Sequence, residues 1–94
     1  MKKRNNGNLN KLEMIMDEYP DMDFLSADGF NDALIGVVDE KLVYSKAICL
    51  QILINENEME YEEALEFFMF NIEGTYMGEK TPIWVDDEMF LSFS

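Results

Sequence analysis

Ninety-four residues are one domain's worth of chain, and 48 % hydrophobic with 13 % aromatic content makes that chain too apolar for disorder despite a net charge of −13. The chain has no histidine, so Ser-His and Cys-His nucleophilic pairs and imidazole metal ligation are excluded, and carboxylates are left as the main candidates for catalysis. Twenty acids face seven bases; four of the bases (Lys2, Lys3, Arg4, Lys11) precede residue 12, which leaves a net of −17 over residues 12–94 and no arginine there. A body of that charge without a guanidinium fork is ill suited to nucleic acid or an anionic membrane, so no direct nucleic-acid or membrane binding is expected of it.

The expected organisation is a basic, flexible lead-in over 1–7 and a single compact acidic domain over 8–94. Asn5-Asn6-Gly7-Asn8 follows the basic start where a secretory signal would need apolar residues, and no run approaches the roughly 20 apolar residues of a membrane span. A cytoplasmic location follows as an expectation. Cys49 is the only cysteine and sits in an apolar run, which predicts a buried, inert thiol.

Leu9, Leu12, Ile15, Met16 and Tyr19 fall at helical spacing between Asn8, a suitable N-cap, and Pro20, predicting a first helix over 8–19. An acidic loop over 21–31 follows, with Phe24, Leu25 and Phe30 as expected anchors and a turn at Ser26–Gly29. Ala33–Val38 and Leu42–Tyr44 are apolar runs about the polar Asp39-Glu40-Lys41, which predicts a β-hairpin. Ser45 is placed to cap a second, largely buried helix over 46–55, for which a strand is the alternative. Tyr61, Ala64, Leu65, Phe68 and Ile72 form the apolar stripe of a third helix over 61–73, extended by Met69 and closed by Gly74 as its C′ residue. Gly78 marks a turn and Pro82–Val85 a last strand. The fold class is α+β in the order α-β-β-α-α-β, three helices packed on a small, mostly antiparallel sheet.

Neither dense acidic group has the pattern of a metal loop. Counting from Asp21, the sixth position is Ser26 where a calcium-binding hand needs glycine, and the twelfth is Asp32 where it needs glutamate. No glycine-rich phosphate loop follows a strand. No catalytic residue, metal ligand or cofactor site is expected, and the chain reads as a non-enzyme. The informative cluster is Phe67-Phe68-Met69-Phe70. Phe68 belongs to the core stripe, whereas Phe67 and Phe70 share a different face, either under a second core layer or exposed. An apolar patch rimmed by acids is how an interface looks. The candidate partner-binding residues are therefore Phe67 and Phe70 with Glu62, Glu63 and Glu66, and the acidic run Asp86, Asp87 and Glu88. Phe90, Leu91 and Phe93 raise the same question at the apolar end.

Phe30–Gly36, Val43-Tyr44, Tyr61–Phe68 and above all Phe70-Asn71-Ile72-Glu73-Gly74-Thr75-Tyr76-Met77-Gly78-Glu79-Lys80-Thr81-Pro82 resemble a group of small bacteriophage- and prophage-encoded proteins, mostly without assigned activity. The resemblance covers about residues 30–85. It departs from the group's pattern in a shorter hairpin connection and in Met69, where the pattern has Glu. It implies origin more than mechanism: an acidic protein acting in a host bacterial cytoplasm. The expected partner is a host protein with a basic surface, bound and inhibited through spaced carboxylates that mimic nucleic acid, with a component of antiviral defence as the target. The alternative is a self-associating structural or regulatory protein that pairs through its hairpin edge or third helix. Asn71, Gly74, Gly78, Glu79 and Thr81 carry the motif, and local backbone roles are expected of them.

Overall fold

The computed structural model describes residues 11–75 and 78–88. The expected lead-in and the Asn8 cap, Tyr76 and Met77 of the motif, and the apolar 89–94 lie outside the described residues. Chain order is α1 (Lys11–Glu18), a short 3-10 turn (Asn31–Ala33), β1 (Leu34–Val38), β2 (Lys41–Ser45), α2 (Lys46–Glu56), α3 (Tyr61–Phe68), a wide helical segment (Met69–Glu73) and β3 (Ile83–Val85). This is the predicted α+β fold in the predicted order.

β1 and β2 pair antiparallel about the two-residue turn Asp39–Glu40, whose residues both have positive φ, 52° and 65°. Such a turn matches the right-handed twist of its strands but suits Asn-Gly better than two acids with Cβ atoms. A register shift between Leu34 and Gly36 displaces Ile35 from the ladder. β3 pairs parallel with β2, so the sheet order is β1-β2-β3 and β2 is central. A parallel neighbour demands a crossover, and α2 and α3 are that crossover.

Directly paired residues share a sheet face. Leu34, Val37, Leu42, Tyr44 and Trp84 therefore lie on one face, and it is this face that the helices cover. The core joins Leu34, Leu42 and Tyr44 to Cys49, Leu50 and Leu53 of α2 and to Ala64 and Phe68 of α3, with Leu12 and Ile15 of α1 packed against it. Trp84 stands between Tyr44 (ring centroids 5.0 Å apart) and Phe68 (5.4 Å, edge to face). Tyr44 Oη accepts the Ala27 N–H at 2.8 Å, which ties the 21–30 loop to the central strand. Phe30 is buried and Phe24 packs on the core, but Leu25, an expected anchor, is exposed.

Helix ends refine the sequence expectations. Ser45 caps α2 as predicted, its Oγ accepting the Ile48 N–H at 3.1 Å. The third helix is regular only to Phe68; beyond it the helix widens, and the Gly74 N–H reaches Met69 O, five residues back, at 3.0 Å. Gly74, expected at C′, has φ −78° and so lacks the left-handed conformation common at that position. It is glycine for space, since a Cβ there would lie 2.9 Å from Met69 O. Met69, whose own N–H still makes the ordinary bond to Leu65 O, lies at the edge of the stripe and is 46 % exposed, and Tyr61, at the helix start, is exposed as well.

Candidate partner-binding surface

α3 is amphipathic because Ala64 and Phe68, four residues apart, stack on one side. Both are fully buried, and the opposite side is left outward. Glu62, Glu63 and Glu66 are all exposed there, and Phe67 and Phe70 stand among them, 37 % and 76 % exposed. The spacing makes them neighbours: Glu63, Phe67 and Phe70 form one row, Glu62, Glu66 and Phe70 another. No lysine or arginine occurs between Lys46 and Lys80, so the helix supplies no positive charge to this face. Of the two arrangements the sequence left open for Phe67 and Phe70, the structure has the exposed one.

The second acidic group does not act as a unit. Asp87 is turned inward: its carboxylate accepts the Ser45 Oγ–H at 2.6 Å and the Ala47 N–H at 3.0 Å, capping the start of α2 from forty residues away. That carboxylate is committed to the fold. Glu88 accepts the Tyr61 hydroxyl at the start of α3. The Tyr61 pKa is raised, first by that hydrogen bond, then by desolvation and by the charges of Glu88 and Asp86. Asp86 and Glu88 thus extend the acidic field of α3 at its N-terminus, and Asp87 does not. Nothing local in the sequence separates these three neighbours, because the groups that distinguish them come from residues 45, 47 and 61.

Positive charge on the body is mostly spoken for. Lys46 is buried at the start of α2, 5.7 Å from the Phe68 ring centroid and 3.7 Å from Glu73. Lys80 lies 3.4 Å from Glu40 and donates to Asp23 O at 3.1 Å. A hollow of about 560 Å³ between the hairpin turn and Gly78–Thr81 is lined by Asp39, Glu40 and Glu79 as well as Lys41 and Lys80, a mixed lining that selects no single charge.

The motif residues have local work. Asn71 Nδ2 donates to Phe67 O, and Thr75 Oγ1 to Asn71 O. Thr81 Oγ1 donates to Gly78 O at 2.6 Å, and Gly78 has φ +103°, a turn conformation that side chains rarely adopt. Glu79 is exposed. Cys49 is fully buried, and desolvation, followed by the Asp87 charge, pushes its thiol up to about 12, the opposite of an activated nucleophile.

Among the described residues no group of three or more Cys, Asp and Glu side chains is placed to hold a metal ion, and no helix is long and apolar enough to cross a membrane. Compared with known proteins, the chain matches no family model, no curated protein and no solved structure.

Proposed function

We propose that this chain is a bacteriophage-encoded, non-enzymatic protein that binds and inhibits a host nucleic-acid-binding component of antiviral defence in the bacterial cytoplasm, with the outward face of α3 as its contact surface. The observation that carries this reading is Phe70, a large apolar ring 76 % exposed on a face shared with Phe67 and the carboxylates of Glu62, Glu63 and Glu66. Carboxylates spaced along a rigid helix attract a groove built for phosphates and steer its approach. A buried ring then supplies most of the binding energy, since hot spots are desolvated anchors and rim charges contribute little. Glu62, Glu63 and Glu66 are the steering groups, with Asp86 and Glu88 at the helix start. The resemblance of residues 30–85 to phage and prophage proteins supports the origin.

The test is capture on tagged protein from bacterial lysate, followed by assay of the captured partner's nucleic-acid binding with and without this chain. A nucleic-acid-binding partner that is released at high salt and loses its nucleic-acid binding to stoichiometric protein is the expected result. A partner held independently of salt would overturn the mimicry. Unchanged nucleic-acid binding and activity would overturn inhibition.

A further inference from the structure

Rings and carboxylates alternate along the outward face of α3. Glu62, Glu66 and Phe70 follow one another at intervals of four residues, about 6 Å along the helix axis, and Glu63 and Phe67 stand beside them at the same interval. Each row therefore runs from carboxylate to ring. The three carboxylates are exposed, and the body lysines Lys46 and Lys80 pair with Glu73 and Glu40 instead of neutralising them. Phe70 is 76 % exposed and Phe67 37 %. Ala64 and Phe68, on the other side of the helix, are fully buried, so the backbone that carries these groups is held by the core.

We infer that this face stands in for a single strand rather than a duplex, and that its partner is a sequence-tolerant single-strand-binding protein; the inference rests on the proposed role of α3 as the contact surface. A duplex shows a protein its phosphates and the edges of its bases, while the base faces are stacked inside. A carboxylate helix imitating a duplex has no use for a projecting ring. A single strand presents charge and π-face together, and proteins that hold it without regard to sequence line a basic groove with aromatic side chains on which bases stack. Carboxylates interleaved with exposed phenyl rings are complementary to such a groove: its cations take Glu62, Glu63 and Glu66, and its aromatic platform takes Phe70 in place of a base. The same ring argues against a sequence-specific partner. A phenyl group has no hydrogen-bonding edge, so in a pocket that reads one base it would leave the pocket's polar groups buried and unpaired. A stacking platform asks only for a π-face.

Competitive release tests this. The tagged full chain, loaded with its partner from nuclease-treated bacterial lysate, is washed with a single-stranded oligonucleotide of about 20 residues or with the duplex of the same sequence, at matched phosphate and salt. The single strand is expected to release the partner at a concentration about tenfold or more below that of the duplex, and a second strand of unrelated sequence to do so equally well. Phe70 variants separate stacking from plain apolar contact: Phe70→Trp holds the partner as well as the parent does, and Phe70→Leu loses about tenfold in affinity. Because Phe70 is 76 % exposed, both variants are expected to melt with the parent. Release by the duplex at an equal or lower concentration, release by one sequence alone, or parental binding by Phe70→Leu would overturn the single-strand inference and leave the inhibitor reading standing. No captured partner, or a partner that neither oligonucleotide releases, would overturn the mimicry beneath it.

Discussion

Asp86 and Asp87 are adjacent, chemically identical and structurally unlike, and that contrast makes a sharp test. Asp87→Ala removes the acceptor for the Ser45 hydroxyl and the Ala47 N–H. Ser45 is 1 % exposed, so its hydroxyl loses a partner where water cannot replace it. A hydrogen bond to a charged group contributes about 1.5–3 kcal/mol net, and a carboxylate at a helix N-terminus about 0.3–1 kcal/mol more. These terms overlap, and Asp87 is only half-buried, so a loss of about 2–3 kcal/mol is the working figure. For a domain of this length that lowers Tm by about 10–20 °C. Asp87→Asn keeps one acceptor oxygen without the charge and falls between the two. Asp86 is exposed, and Asp86→Ala stays within about 0.5 kcal/mol of the parent. Thermal melts followed by circular dichroism, with urea titrations for ΔG, measure all three. A Tm for Asp87→Ala within about 2 °C of the parent, or equal losses from Asp86→Ala and Asp87→Ala, would refute the capping argument.

Three further outcomes are expected. Phe70→Ala leaves Tm unchanged but weakens binding to the captured host partner about thirtyfold, the loss of a ~2 kcal/mol anchor, as titration calorimetry would read it. Asp39→Asn with Glu40→Gly gives the positive-φ hairpin turn the residues it favours; the gain of about 1–2 kcal/mol is partly offset by loss of the exposed Lys80–Glu40 pair, for a Tm rise of about 5 °C in the same melts. Cys49 has a folded pKa of about 12, above its unfolded value, so the native state holds its thiol proton longer. Stability from this group is intact below about pH 8.5 and is lost towards pH 12 at up to ~1.4 kcal/mol per pH unit. Urea titrations at stepped alkaline pH should show that slope and Cys49→Ala should reduce it, while the native thiol resists disulfide reagents at pH 8.

What the sequence disclosed was local. Ser45 before an apolar run announced the cap of α2, and two apolar runs about Asp39-Glu40 announced the hairpin, because both depend on neighbours within a few residues. Phe67 and Phe70 were legible as a face separate from Phe68 by helical spacing alone. Met69 was added to the stripe although helical spacing puts it about 100° round from Phe68, at the edge of the buried face, where it is exposed. The other misses have longer reach. Gly74 was placed at the C′ position, whereas the wide turn requires a glycine there for clearance from Met69 O. The separate fates of Asp86, Asp87 and Glu88 were invisible because their partners lie on α2 and α3. That Val38, Val43, Ile83 and Val85 share the other face of the sheet was equally invisible, because the parallel register that gathers them is a property of the fold.

The cap on α2 also imposes an order on the nascent chain. Ala47 and Asp87 are separated by forty residues. At about 5–20 residues per second, a ribosome makes Asp87 some 2–8 s after Ala47. During that interval the start of α2 has the Ser45 hydroxyl but not the carboxylate, and the hairpin, which closes through a two-residue turn in microseconds, waits without its parallel neighbour. The arrival of β3 covers Tyr44 with Trp84 and completes the α2 terminus in one event. A chain stalled before Asp87 would therefore lack both the third strand and the second cap of α2, and because a two-stranded hairpin alone is marginal in water, a protease present during synthesis would find cleavage sites in the hairpin as well as in α2.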